Sequence, residues 1–146
     1  MIQVSKNTDL PVIHKILVAV DGSETSSKAA ENATELAEKY GADLIALHIV
    51  PPNIKSSEIF DLAKQYGQKI VDEVKHEASA KKLNVQTKVL WDVGSVTKAI
   101  VEFAENNKVN LIVLGTRGIS GIKRMLLGST ASGVVTYSHC PVMVVK

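Results

Sequence analysis

The chain has 146 residues, with 17 Lys and Arg against 15 Asp and Glu and a formal net charge of +2. That length suits one domain, able to bury roughly 70% of the surface of its unfolded chain and so to form one hydrophobic core. With 45% hydrophobic and 22% charged residues, the chain falls outside the disordered, collagen-like and disulfide-scaffold classes, and its near-neutral balance speaks against a dedicated nucleic-acid binder.

In chain order, residues 1–12 show no periodicity before Pro11 and read as a flexible N-terminal extension, without the apolar stretch of a secretory signal. Residues 14–21 form the first short apolar run. A helix pattern follows in Ala29, Ala33, Leu36, Ala37 and Tyr40, which recur at spacings of three and four and stop at Gly41. Residues 42–50 form a second apolar run, ended by Pro51 and Pro52, and residues 50–57 read as a mobile loop. Ile59, Leu62, Ala63, Tyr66, Ile70, Val71 and Val74 predict a helix over 56–83, with a kink at Gly67. Residues 85–91 alternate and so predict an edge strand with one wetter face. Ser95 is a good N-cap for a helix carrying Val96, Ala99, Ile100, Phe103 and Ala104. Residues 111–114 form a fourth strand, a short helix runs from Ser129 to Ser138, and residues 141–145 form the last strand.

Two of these strand runs are continuously apolar, as parallel strands covered on both faces are. Strand–helix alternation of this kind implies right-handed crossovers. The expected fold is α/β, a doubly wound, Rossmann-like parallel sheet of five strands with helices on both faces, in one domain spanning 13–146. Cys140 is the only cysteine, which excludes an intrachain disulfide and a Cys-rich zinc site. No apolar stretch approaches the roughly 20 residues of a membrane span, so a cytoplasmic location is expected.

Open α/β sheets bind ligands beyond the carboxyl ends of their strands. The first strand ends in Val20-Asp21-Gly22-Ser23, which puts a carboxylate there. The fourth runs into Gly115-Thr116-Arg117-Gly118, and nine residues after Gly118 comes Gly128-Ser129 at a helix start. Glycines let backbone N–H groups approach an anion, and a helix N-terminus adds unpaired N–H groups and positive potential. Ser129, as the cap, or Thr130 would contribute a hydroxyl, and Arg117, Lys123 and Arg124 would add positive charge. Together these suit a phosphate. Glycine-rich turns after buried strands also serve only to turn the chain, and Gly128 could simply precede a helix.

Other chemistries find no support. The P-loop motif is absent, because its nearest glycine spacing, Gly128 to Gly133, is followed by Val134 where the motif needs lysine; the dinucleotide fingerprint is absent too. His14, His48, His76 and His139 form no pair on one helical face. Ser120 is not in a nucleophile elbow, and Gly118-Ile119-Ser120-Gly121 as a KH-type loop conflicts with the parallel-sheet pattern.

The pattern Gly115-x-x-Gly118, nine residues, Gly128-Ser129 resembles the glycine motif of the universal stress protein family, in its ATP-binding branch. Residues 16–23, 44–49 and 140–145 resemble that family's opening strand with its acidic turn, its second strand and its closing strand. The resemblance covers 13–146; residues 1–12 exceed the family pattern and receive no role. It implies one ATP per subunit, accompanied by Mg²⁺ or Mn²⁺. Asp21 would contact the ribose hydroxyls, the main chain of Ile49 would pair with the adenine edge, and Ala19 and Val20 would line the base pocket. Gly115 would lie under the ribose, and Gly118, Gly128, Ser129 and Thr130 would hold the phosphates, with Leu114 and Arg117 alongside. It also implies a homodimer formed by antiparallel pairing of the last strands, Val142 to Val145.

Function follows as ATP binding in a stress-response switch with little or no hydrolysis, acting on an unknown protein partner. Residues 50–57 and 119–127 would be the segments that order or disorder. No dedicated general base stands near the glycine loop, so slow hydrolysis is the most catalysis expected. One rival is a dimeric protein-interaction module with an empty or AMP-occupied pocket, in which Gly115, Gly118 and Gly128 are turns only. A second is a slow Mg-dependent ATP hydrolase.

Overall fold

A computed structural model describes residues 13–116 and 127–146. Five strands alternate with four helices: β1 (Lys15–Ala19), α1 (Glu24–Tyr40), β2 (Asp43–Ile49), α2 (Ser57–Ser79), β3 (Val85–Leu90), α3 (Val96–Asn106), β4 (Leu111–Gly115), α4 (Ser129–Tyr137) and β5 (Val142–Val145). The strands form one sheet in the order β3-β2-β1-β4-β5, and every neighbouring pair is parallel. β3 is an edge, as its alternation predicts.

The side-chain period of two splits each strand between two cores. Ile16, Val18, Val20, Leu44, Ala46 and Val113 face α1 and α2, packing with Ala29, Ala33, Ala37, Val71 and Ala78. Leu17, Ile45, Leu47, Ile49, Ile112 and Leu114 face α3 and α4, packing with Ile100, Ala104, Ala131 and Val134. The small residues of α1 matter here, because alanines let it lie close on the sheet. The fully buried side chains Ile16, Leu17, Leu44, Leu47 and Ile112 contribute about 1.5–3 kcal/mol each.

Helix boundaries follow their caps. Ser23, Ser56 and Ser95 accept from Ser26, Ile59 and Lys98 N–H respectively, opening α1, α2 and α3. Gly41 ends α1 in the left-handed conformation, φ 66°, as its position predicts. Against expectation, α2 ends at Ser79 rather than near 83 and continues unbroken through Gly67. Gly67 is there for close approach: a Cβ at this position would collide with the His48 ring on β2.

Candidate nucleotide site

β1 leads through α1 to β2 on one face of the sheet, whereas β3 leads through α3 back to β4 on the other. The connections diverge between the adjacent strands β1 and β4, and this switch point leaves a crevice beyond their carboxyl ends. Ala19 is in register with Leu114, so Asp21 and Thr116 stand on its two sides.

On the β1 side the chain turns sharply at Gly22, φ 88°. Asp21 Oδ1 accepts from Ser23 N–H at 2.9 Å, and Ser26 Oγ accepts from Asp21 N–H at 3.3 Å while donating to the Ser23 carbonyl at 3.1 Å. These bonds hold the half-buried Asp21 carboxylate by one oxygen. Oδ2 makes no hydrogen bond among the described residues.

On the β4 side, buried Thr116 donates its N–H to the Val145 carbonyl at 2.8 Å and accepts from Gly128 N–H at 2.6 Å. The start of α4 is thereby fastened to the end of β4. Gly128, not Ser129, is the N-cap, and it offers no side-chain cap. Ser129 is the first helical residue and is exposed, with half-buried Thr130 next to it. α1, α2 and α3 each satisfy a first-turn N–H with a serine hydroxyl, but α4 presents its own without one. Uncapped N–H groups and the helix dipole suit an anion at this point.

Across β1 from β4 lies the end of β2. Strand alternation turns the N–H and C=O of Leu47 and Ile49 toward β1, and those of His48 and Val50 toward β3, where Val50 N–H donates to Leu90 C=O at 2.9 Å. Among the described residues, the β1–β2 bonding ends with Val20 N–H to Leu47 C=O at 2.9 Å. The main chain of Ile49 therefore extends past it.

Ala19, Ile49 and Leu114 share the α3/α4 face of the sheet. Val20 faces the other way, toward α1 and α2, where it lines a cleft of about 280 Å³ with Ala30, Tyr66 and Ile70. The side chains of Ala19 and Val20 thus stand on opposite faces, and only their main chains could border one pocket. Gly115 is explained by packing: a Cβ there would lie 2.8 Å from the carbonyl carbon of Thr25 on α1. Arg117 and Gly118, together with Lys123, Arg124 and most of the 119–127 segment, lie outside the described residues.

Sequence reasoning missed His48. It is 6% exposed, and its Nδ1 lies 2.8 Å from the Val20 carbonyl oxygen. An imidazole inside the apolar run Leu47-His48-Ile49 was the available signal, since such a ring needs a polar partner. Among the described residues no three His, Cys, Asp or Glu side chains gather as a metal site. A divalent cation would therefore be held chiefly by ligand oxygens and water, as Mg²⁺ commonly is beside phosphates.

The model of the universal stress protein family matches residues 13–146. Universal stress protein MJ0531 of Methanocaldococcus jannaschii is 38% identical over 140 residues, covering 90% of this chain and 81% of the relative. The solved universal stress protein UspA from Lactobacillus plantarum superposes with a TM-score of 0.85 at 26% identity, covering 92% of this chain and 98% of that one. A universal stress protein solved in complex with cAMP superposes at 0.73, also with 26% identity, covering 92% of this chain and 98% of that one. With the parallel sheet, the acidic turn after β1 and the glycine-opened α4 all in family order, this chain belongs to the universal stress protein family.

Proposed function

We propose that this protein binds ATP in the crevice between β1 and β4 and acts as a nucleotide-dependent switch in a stress response, with little or no hydrolysis. The observation that carries the proposal is the attachment of Gly128 to Thr116, which fixes an uncapped helix N-terminus at the end of β4, the strand beside the one that leads to Asp21. Asp21 Oδ2 accepts from the ribose hydroxyls. The Ile49 main chain meets the adenine edge, beside Ala19 and Leu114. The first N–H groups of α4 and the hydroxyls of Ser129 and Thr130 hold the phosphates, and Arg117 and Gly118 complete the cradle. Mg²⁺ or Mn²⁺ rides on the triphosphate, with no carboxylate cage of its own among the described residues. Subunits pair through the outer edge of β5.

The cAMP complex of a relative supports an adenine nucleotide in this fold. It equally favours a second reading, in which the pocket takes a nucleoside monophosphate and the protein serves as an interaction module. Calorimetric titration with ATP, AMP and cAMP, with and without Mg²⁺, separates the two. ATP binding about tenfold tighter than AMP corresponds to ~1.4 kcal/mol supplied by the outer phosphates and supports the switch. Equal or tighter AMP or cAMP binding would replace ATP as the ligand, and no binding at all would leave a scaffold.

A further inference from the structure

His48 does more than fill the core. Its Nδ1 faces a carbonyl oxygen, which can only accept, so Nδ1 carries the proton and donates to Val20 at 2.8 Å. The ring is held in that pose from the other side. Gly67 lets α2 approach it, and Tyr66 meets it edge-on, with centroids 6.5 Å apart and planes at 89°. The Tyr66 hydroxyl also reaches over Gly22, in the turn that carries Asp21.

The position of this bond in the ladder is what matters. After Val20 N–H to Leu47 C=O, the next rung of a regular parallel pair would run from Ile49 N–H to Val20 C=O. Among the described residues that rung is not made; the imidazole holds the Val20 carbonyl instead. Ile49 therefore keeps an N–H donor and a C=O acceptor side by side, both directed past the end of β1. Adenine offers the matching pair on one edge, an N1 acceptor and an N6 amino donor. Guanine presents an N1–H donor and an O6 acceptor there, the reverse order.

We infer that His48 is a positioning residue for base selection: by taking the Val20 carbonyl it ends the β1–β2 ladder one rung early and leaves the Ile49 main chain to an adenine edge. The inference rests on the nucleotide site proposed above. In His48→Phe a flat ring remains between β2 and α2 but the donor is gone, so Ile49 N–H turns to Val20 and is lost to the base. His48→Asn puts an amide N–H near the place of Nδ1 and restores the arrangement.

The test titrates ATP, GTP and inorganic tripolyphosphate into the wild type and both variants, and follows hydrogen exchange of the Ile49 amide. In His48→Phe the preference for ATP over GTP is expected to fall about tenfold, the effect of one hydrogen bond. Tripolyphosphate affinity stays unchanged, and His48→Asn recovers most of the preference. In the nucleotide-free wild type the Ile49 amide exchanges freely, and ATP, not GTP, slows it; this arm needs no variant to fold. An unchanged ATP-to-GTP ratio in folded His48→Phe, or an Ile49 amide already protected without ligand, overturns the inference. Wild-type protein that binds ATP without base preference also counts against His48 alone. Wild-type protein that binds none of the three ligands overturns the nucleotide site itself, and the positioning role with it.

Discussion

Gly128 N–H donates to the Thr116 carbonyl at 2.6 Å, which joins the residue opening α4 to the residue following β4. Thr116 is in turn bonded through its N–H to Val145 on β5. The helix N-terminus is therefore placed at the mouth of the sheet by backbone bonds of its own.

Gly128→Val tests that placement. Gly128 has φ −70° and ψ 170°, a conformation open to any residue. The expected cost in stability is below about 1 kcal/mol by urea denaturation. ATP binding should nevertheless be lost, because a branched side chain at the cap occupies the space in front of the first-turn N–H groups. A folded Gly128→Val protein with unchanged ATP affinity in calorimetry would place the phosphates elsewhere.

Gly115→Ala should behave in the opposite way. Its Cβ meets the Thr25 backbone, which cannot swing aside as a side chain can. The expected loss is about 1–3 kcal/mol of stability, the usual range for overpacking. Denaturation midpoints of the two variants, measured together, separate a glycine needed for packing from one needed for ligand.

Asp21→Ala removes both the acceptor for Ser23 N–H and the oxygen proposed to meet the ribose. Loss of the turn bond costs about 1 kcal/mol of stability. ATP and AMP should each bind about tenfold more weakly, since both carry the ribose, while inorganic tripolyphosphate is unaffected. Selective loss of ATP alone would assign Asp21 to the phosphate end instead.

Removal of divalent cation distinguishes the ligands by charge. No three carboxylate, imidazole or thiol side chains gather among the described residues, so an ion entering with ATP would take its ligands from the triphosphate. Chelation with EDTA should weaken ATP binding several-fold and leave AMP binding unchanged. Equal sensitivity of both would point to a protein-held ion.

Val144→Pro examines the β5 edge. Ile112 N–H bonds to Pro141 C=O and Thr116 N–H to Val145 C=O, so Pro141, Met143 and Val145 face β4 while Val142 and Val144 direct their main chains outward. Proline at 144 removes an outward N–H and leaves the β4–β5 bonds in place. If subunits pair through this edge, sedimentation should show dimer for the wild type and monomer for the variant. An unchanged dimer would move the interface off β5.

Much of this molecule was legible before any fold was considered. The element order, the α1 stop at Gly41 and the edge position of β3 all follow from local spacing, which acts over a few residues. The opposite orientation of Ala19 and Val20 was legible too, since neighbouring residues of a strand point to opposite faces. The packing role of Gly67 was not legible, because a glycine in a helix pattern looks the same whether or not a neighbour packs against it. Ser129 misled by one position, since a glycine cap leaves the hydroxyl to the next residue.

The sequence alone determined the kind of chain: a parallel α/β sheet with an acidic turn after its first strand and a glycine-opened last helix. Only the tertiary structure decided that Gly115 serves packing against Thr25 and that Gly128 caps α4. It also decided that His48 Nδ1 meets the Val20 carbonyl and that Thr116 receives Gly128. Each depends on a contact between residues far apart in the chain, Gly115 with Thr25, His48 with Val20, Gly128 with Thr116. Local periodicity carries no information about such pairs. They arise only when parallel crossovers bring the carboxyl ends of β1, β2 and β4 to one side of the sheet.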